Sequence, residues 1–373
     1  MKKLTQFISS IWGQSLLLLI IWNFVIRLVA TFGYFILPEH FAPLNFIASY
    51  WKSNFIFWSF ANFDGEHYLS IAKYGYQLRN GFPEYAFFPL FPLLVHGLSS
   101  IIKDYYLSGM LISQAALYFT LVYIVKWTKE LKIPDIRLAL LCSTGAIFLA
   151  SIYTEPLFLM LASMTMYFSE KKWWGRAIFA TALATATRVS GVFLALFLFV
   201  KLLKSKTNFV TSGIYLFTSL SGFMAYMVYL WQTTGDPMSW YHAQSAWGKA
   251  TATSPLLTLS SYLRAISTQF VPDMTHLVVV IEVLVTVGAI ALFIKMLLSH
   301  ALDLSYWLYL ALSLALPIAT GSLGSMPRFV LTMFPLLVVV PTLSRFGKTM
   351  YYIFSISILL VGIVLFTRGY WYG

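Results

Sequence analysis

Phe87-Phe-Pro-Leu-Phe-Pro-Leu-Leu-Val-His-Gly-Leu-Ser-Ser-Ile-Ile102 is the stretch on which the fold turns. It is apolar enough to enter a membrane, and it either crosses or lies along the surface. Lys126, Lys129, Lys132 and Arg137 follow the next apolar segment, 107–125. If 87–102 crosses, these cations fall outside and every later segment inverts. If it lies in the interface they fall inside, as the positive-inside rule requires. The second choice also gathers Lys171, Lys172, Arg176, Lys201, Lys204, Lys206, Lys295, Arg345 and Lys348 on the same side. An interfacial helix over 87–102 is therefore predicted.

The rest of the chain agrees with a membrane solvent. Of 373 residues 59% are hydrophobic and 10% charged, and no stretch is polar enough to be a soluble domain. Apolar segments at 16–37, 107–125, 138–152, 156–169, 177–188, 190–203, 210–232, 275–298, 305–320, 329–343 and 350–367 predict an all-α integral membrane protein. Its transmembrane helices number about eleven. The chain reads as one polytopic domain, 1–373, with outer loops at about 38–106 and 233–274. Met1-Lys-Lys before 16–37 resembles a signal peptide, but no small-residue cleavage site follows, so 16–37 is expected to stay as the first span. The net charge of +12 is split into small clusters between apolar segments, which encodes topology and argues against nucleic acid. A lone cysteine, Cys142, excludes an intramolecular disulfide and a thiolate zinc site.

This topology sends Glu39, Asp64, Glu66, Glu84, Asp104, Glu155, Asp236 and Asp273 outward, with His40, His67, His242 and His276. Three of these groups crowd into Asn62-Phe-Asp-Gly-Glu-His-Tyr-Leu-Ser-Ile-Ala-Lys-Tyr-Gly-Tyr76. A helix starting at Asp64 puts His67 and Tyr68 on one face with it, so carboxylate, imidazole and phenol share a surface. The alternative is that Asp64 only caps that helix and Glu66 offsets its dipole.

Segments 156–169, 177–188 and 190–203 are too short to cross a core of about 30 Å alone and are expected to pair as hairpins around a cavity. Their turns carry polar groups that are costly in lipid: Tyr153-Thr-Glu155-Pro156 and Thr187-Arg188-Val-Ser190-Gly191. Glu155 and Arg188 are thus predicted to face one site, either as working groups or as a pair that only joins helices. The loop Gly235-Asp-Pro-Met-Ser-Trp-Tyr-His-Ala-Gln-Ser-Ala-Trp-Gly-Lys249 adds Trp240, Tyr241 and Trp247, which stack on sugars or anchor the interface. Arg328, after Gly321-Ser-Leu-Gly-Ser-Met-Pro327, either meets phosphate under the headgroups or snorkels. A carboxylate that deprotonates a hydroxyl beside guanidiniums that hold a departing phosphate suits sugar transfer from a phosphate leaving group.

In order, Asp-Gly-Glu-His-Tyr-Leu-Ser-Ile-Ala-Lys-Tyr-Gly-Tyr (64–76), Ala-Phe-Phe-Pro-Leu-Phe-Pro (86–92), Ser151-Ile-Tyr-Thr-Glu-Pro156, Thr187-Arg188, Gly-Asp-Pro (235–237) with Gln244 and Trp247, and Met-Pro-Arg-Phe (326–329) resemble the GPI mannosyltransferase 2 (PIG-V) family. That family is similar to the GT-C class of integral-membrane glycosyltransferases. The resemblance implies a lipid-phosphate sugar donor (a polyprenyl-phosphate, dolichyl-phosphate-type carrier), a lipid-linked or surface glycan acceptor, inversion at the anomeric carbon and an active site on the extracytoplasmic face. It implies two helices lying along the membrane in the first outer loop. It implies Asp64 as base, Glu66 and His67 as its partners, and Tyr68, Glu155, Arg188, Asp236, Gln244, Trp247 and Arg328 as the substrate-binding set. Some GT-C enzymes hold a divalent metal (Mg or Mn) at such loop carboxylates and others do not. Asp64, Glu66 and His67 are the candidate ligands. The short loops depart from the eukaryotic pattern and favour a prokaryotic cell membrane, with the endoplasmic reticulum as the alternative.

The rival function is a polytopic transporter or flippase of a lipid-linked or anionic substrate, built on the same short paired spans and intramembrane charges. A transporter predicts an internal repeat, and none is visible between the two halves. A third reading is a non-catalytic assembly subunit; the transferase reading leaves open whether the enzyme acts alone or with a small membrane partner.

Overall fold

The computed structural model describes residues 6, 8–40, 49–79, 81–249, 253–268 and 273–372. It is helical nearly throughout: a two-stranded hairpin, β1 (Leu78–Arg79) against β2 (Phe82–Pro83), is the only sheet among the described residues. Four helices are long and apolar enough to cross a membrane: α1 (Ile11–Ile36), α4 (Tyr105–Glu130), α11 (Met274–Ser299) and α14 (Arg345–Thr367). Helices α8 (Phe209–Ser219) and α9 (Ser221–Thr234) make a fifth if the pair, bent by 50°, counts as one span. The protein is thus a multi-pass membrane protein.

Local sequence explains the ends of these helices. Asp104, Asp273 and Ser344 lie just before α4, α11 and α14, and their side chains accept from the backbone amides of Leu107, His276 and Gly347. The 87–102 stretch forms α3 (Leu90–Ile102), 13 residues and so about 20 Å long, shorter than a hydrocarbon core. It buries Phe91, Pro92, Val95 and Ser99 against the protein and leaves Leu93, Leu94 and Ile101 outward.

Helices α5 (Glu155–Glu170), α6 (Trp174–Thr185) and α7 (Ser190–Lys204) follow the expected short segments, and α5 packs along α4 with Thr120 Oγ1 donating to the Pro156 carbonyl at 3.3 Å. Two expected helices are broken. The 138–152 segment forms only the turns Arg137–Leu141 and Ile147–Ala150. The 329–343 segment starts as α13 (Met326–Thr332) and continues as a 3₁₀ stretch, Phe334–Thr342, carrying Pro335 and Pro341. Gly145, between the two turns, crosses the start of α13 closely: a Cβ there would lie 2.1 Å from the Pro327 carbonyl oxygen. In 329–343 Pro335 and Pro341 lack the amide donors that would continue the helix. Both irregular stretches are buried in protein, where their backbone groups find partners away from lipid. The remaining helices longer than ten residues are α2 (Asp64–Tyr74), α10 (Pro255–Thr268) and α12 (Leu304–Ala319).

Candidate active site

Asp64 is the first residue of α2, as the motif predicted, but it does not cap that helix: Phe63 is the N-cap, with no side-chain cap bond. Phe63 takes φ 58°, ψ −119°, a conformation that suits glycine, and turns the chain so that Gly65 N reaches the Asn62 carbonyl. The turn is held from several sides. Phe63 packs on Phe366 and edge-on against Trp371, Tyr153 Oη donates to the Asn62 carbonyl, and Asn62 Nδ2 donates to the Phe366 carbonyl. Such over-determined strain sits where a side chain must be aimed.

The Asp64 carboxylate is aimed at Arg328, whose Nη1 donates to Oδ2 at 2.6 Å. Arg328 Nε donates to Glu155 Oε1 at 2.8 Å, and Arg188 Nη1 donates to the same oxygen at 2.6 Å and to Thr154 Oγ1 at 2.9 Å. Two carboxylates and two guanidiniums therefore alternate in one chain. Glu155 opens α5 ahead of Pro156, where the helix N-terminus favours an anion. Arg188 sits on the tight corner between α6 and α7, made possible by Gly191, whose Cβ would fall 2.5 Å from the Ala184 carbonyl oxygen. Arg328 is buried and its guanidinium lies over Tyr153 and Phe148, so it does not snorkel. Its Nη2, and Nε and Nη2 of Arg188, carry no hydrogen bond among the described residues.

Asp64, Arg188 and Arg328 line a cavity of about 440 Å³ with Tyr68, Phe87, Phe88, Gln244, Trp247, Lys249 and Phe329, and Glu155 lies buried behind them. Burial, with Asp64 and Glu155 adding to it, pushes the Tyr68 phenol up, so the hydroxyl stays protonated beside Thr154 Oγ1 at 3.3 Å. Lys249 Nζ donates to the Gly324 carbonyl at 2.6 Å, and burial lowers its ammonium to about 8. Lys249 was outside the predicted binding set although it ends the quoted aromatic loop. A cation beside Trp247 on an outer loop was the signal for it.

Other expected residues are not brought to the cavity. Glu66 turns about 200° around the helix from Asp64 and pairs with Lys52 at 2.7 Å. His67 stacks on Phe87 at 5.2 Å, meets Trp247 edge-on and lies 3.5 Å from Glu84, behind the cavity wall. The structure does not bring the candidate metal set Asp64, Glu66 and His67 together, and among the described residues no group of three His, Cys, Asp or Glu is placed to hold a metal. Asp236 belongs to an exposed turn, where Oδ1 accepts from Met238 N and Oδ2 faces His242 Nδ1 at 2.7 Å. The Met238 amide and His242 hold its carboxyl below the usual range, a turn-capping role away from the cavity.

Comparison with known proteins agrees with the motif order. Residues 1–233, which include Asp64, Glu155 and Arg188, match the family model described as mannosyltransferase (PIG-V). No curated protein and no solved structure matches. With more than half of its length in that match, the chain belongs to the PIG-V mannosyltransferase family.

Proposed function

We propose that this protein moves mannose from a polyprenyl-phosphate donor to a glycolipid or surface glycan acceptor, with inversion, on the extracytoplasmic side of a prokaryotic cell membrane. PIG-V family members are endoplasmic-reticulum proteins, which keeps that membrane as the alternative. The observation that carries the reading is that Asp64, two guanidiniums and Lys249 line one cavity whose other walls are largely apolar. The cations suit the donor's phosphodiester, and Phe87, Phe88, Leu316 and Phe329 suit its polyprenyl chain. In one displacement the acceptor hydroxyl oxygen bonds to the anomeric carbon as the bond from that carbon to the phosphate oxygen breaks. The electron pair leaves on polyprenyl phosphate, where Arg188, Arg328 and Lys249 hold the charge, and the hydroxyl proton passes to Asp64.

The test is transfer of labelled mannose in proteoliposomes. Polyprenyl-phosphate mannose is expected to support product formation and a nucleotide-linked mannose is not. Equal use of the nucleotide sugar would remove the donor assignment.

In this reading α3 lies along the membrane, with about eleven spans in all and the cavity facing outward. A cysteine at the exposed Leu78, in a Cys142→Ser background, should react with an impermeant thiol reagent on intact cells. Labelling only after permeabilisation overturns the orientation.

Lys249 predicts a pH dependence. Its ammonium is charged below about pH 8 and neutral above, while a phosphodiester stays anionic throughout. Donor capture, read as kcat/KM, should therefore fall as pH rises through about 8, and Lys249→Arg should remove that inflection because guanidinium does not titrate there. An unchanged inflection in the arginine variant assigns it to another group. For stability the sign is opposite: the folded chain holds fewer protons than the unfolded one between about 8 and the ordinary 10.5, so the penalty from burying this charge is full below pH 8 and fades above it.

A further inference from the structure

Glu282 lies about two turns into the apolar span α11, buried and not itself part of the cavity lining. A carboxylate in a span is costly, and such residues mark function by default. Oε1 of Glu282 accepts from the Ser325 amide at 3.3 Å. The carbonyl of the same peptide group, that of Gly324, accepts from Lys249 Nζ at 2.6 Å. One peptide is therefore gripped from both sides, at its N–H by a carboxylate and at its carbonyl by an ammonium. The two groups flank Gly324: a Cβ there would lie 3.7 Å from Lys249 Nζ and 3.8 Å from Glu282 Oε1.

The grip acts on the start of α13. Ser325 takes φ 74°, ψ 15°, the left-handed region that a side chain disfavours, and it is the N-cap of α13 with no side-chain cap bond. Its carbonyl accepts from the Arg328 amide at 3.0 Å, so the turn at Ser325 sets where Arg328 leaves the chain. Strain of this kind persists only where the surroundings over-determine it. Here the Glu282 bond to Ser325 N does so, together with Tyr262 Oη of α10, which accepts from the Leu323 amide at 3.0 Å. The Lys249 ammonium is faced by Glu282 from α11, by Arg328 from α13 and by the Phe329 ring at 5.5 Å. Burial lowers it to about 8, Glu282 opposes the fall and Arg328 adds to it. We propose that Glu282 is a positioning residue, which through the Gly324–Ser325 peptide holds Lys249 and Arg328 at the phosphate end of the cavity. The inference rests on the polyprenyl-phosphate reading above.

The test uses the full-length protein in proteoliposomes and two variants. Glu282→Gln keeps an oxygen for the Ser325 amide but drops the charge, and Glu282→Leu drops both while remaining at home in a span. First, Lys249 is titrated without substrate, as the rate of its carbamylation by cyanate against pH, read on its peptide by mass spectrometry, since only the neutral amine reacts. The midpoint should lie at about 8 in wild type and lower in Glu282→Gln, a change that a carboxylate serving only to join helices does not produce. Second, Glu282→Leu should lower kcat/KM for polyprenyl-phosphate mannose by about tenfold, the equivalent of one lost hydrogen bond, with the acceptor KM unchanged. An unchanged Lys249 midpoint in Glu282→Gln overturns the proposal, and so does a Glu282→Leu enzyme with wild-type kcat/KM. If Glu282→Leu fails to fold, the glutamine variant decides alone. A wild type that makes no product from polyprenyl-phosphate mannose, while the Lys249 midpoint still shifts in Glu282→Gln, removes the donor assignment and leaves the Glu282 grip standing.

Discussion

Asp64→Asn is expected to reduce mannosyl transfer by between about a hundred- and ten-thousand-fold, the range for removal of a general base. Asn keeps the size of the side chain and an oxygen that can still accept from Arg328 Nη1, so the variant should be made and purified at near wild-type levels. The loss should fall on kcat. The carboxylate is tied to Arg328 at 2.6 Å. A donor phosphate that takes up Arg328 would leave that carboxylate oxygen open to the acceptor hydroxyl. This makes a second reading of the same variant useful: if only the donor KM rises and kcat holds, Asp64 balances charge and takes no proton. Turnover like wild type would remove it from the chemistry altogether.

Arg328→Gln should be the most destabilising single change in the site. It leaves Asp64 and Glu155 buried with Arg188 as the remaining guanidinium, and breaking a buried ion pair from one side costs about 3–5 kcal/mol. The measurement is the melting midpoint in detergent for Arg328→Gln, for Asp64→Asn and for the two combined. Because Asp64→Asn also removes a carboxylate that the first change orphans, the double variant should be more stable than the sum of the two losses. Activity should stay absent in all three. Additive losses would mean that the contact carries no energy of its own, and a wild-type midpoint for Arg328→Gln would mean that the charges are compensated elsewhere.

The two predictions draw unequally on the sequence. Asp64 was legible because a carboxylate, an imidazole and a phenol crowd into a few positions of a chain that is 10% charged, and because the helix starting there follows from local rules. The pairing of Glu155 with Arg188 was legible for a related reason: polar residues at the turns of short apolar segments must find each other or leave the lipid. Glu66 and His67, expected as partners of Asp64, are not brought to it. Adjacency in sequence on a helix means divergence in direction, and Lys52, Glu84 and Phe87 claim the two side chains.

Hydropathy and charge, read along the chain, determined that this is a helical membrane protein and where the helix bearing Asp64 begins, since transfer into lipid and helix periodicity depend on neighbours within a few turns. The tertiary structure alone decided that Arg328, 264 residues from Asp64, closes the charge chain. It also decided that 138–152 is interrupted where Gly145 meets Pro327, and that Lys249 reaches the cavity. Those contacts depend on which buried segments pack against each other, and packing is a property of the whole fold that no local pattern carries.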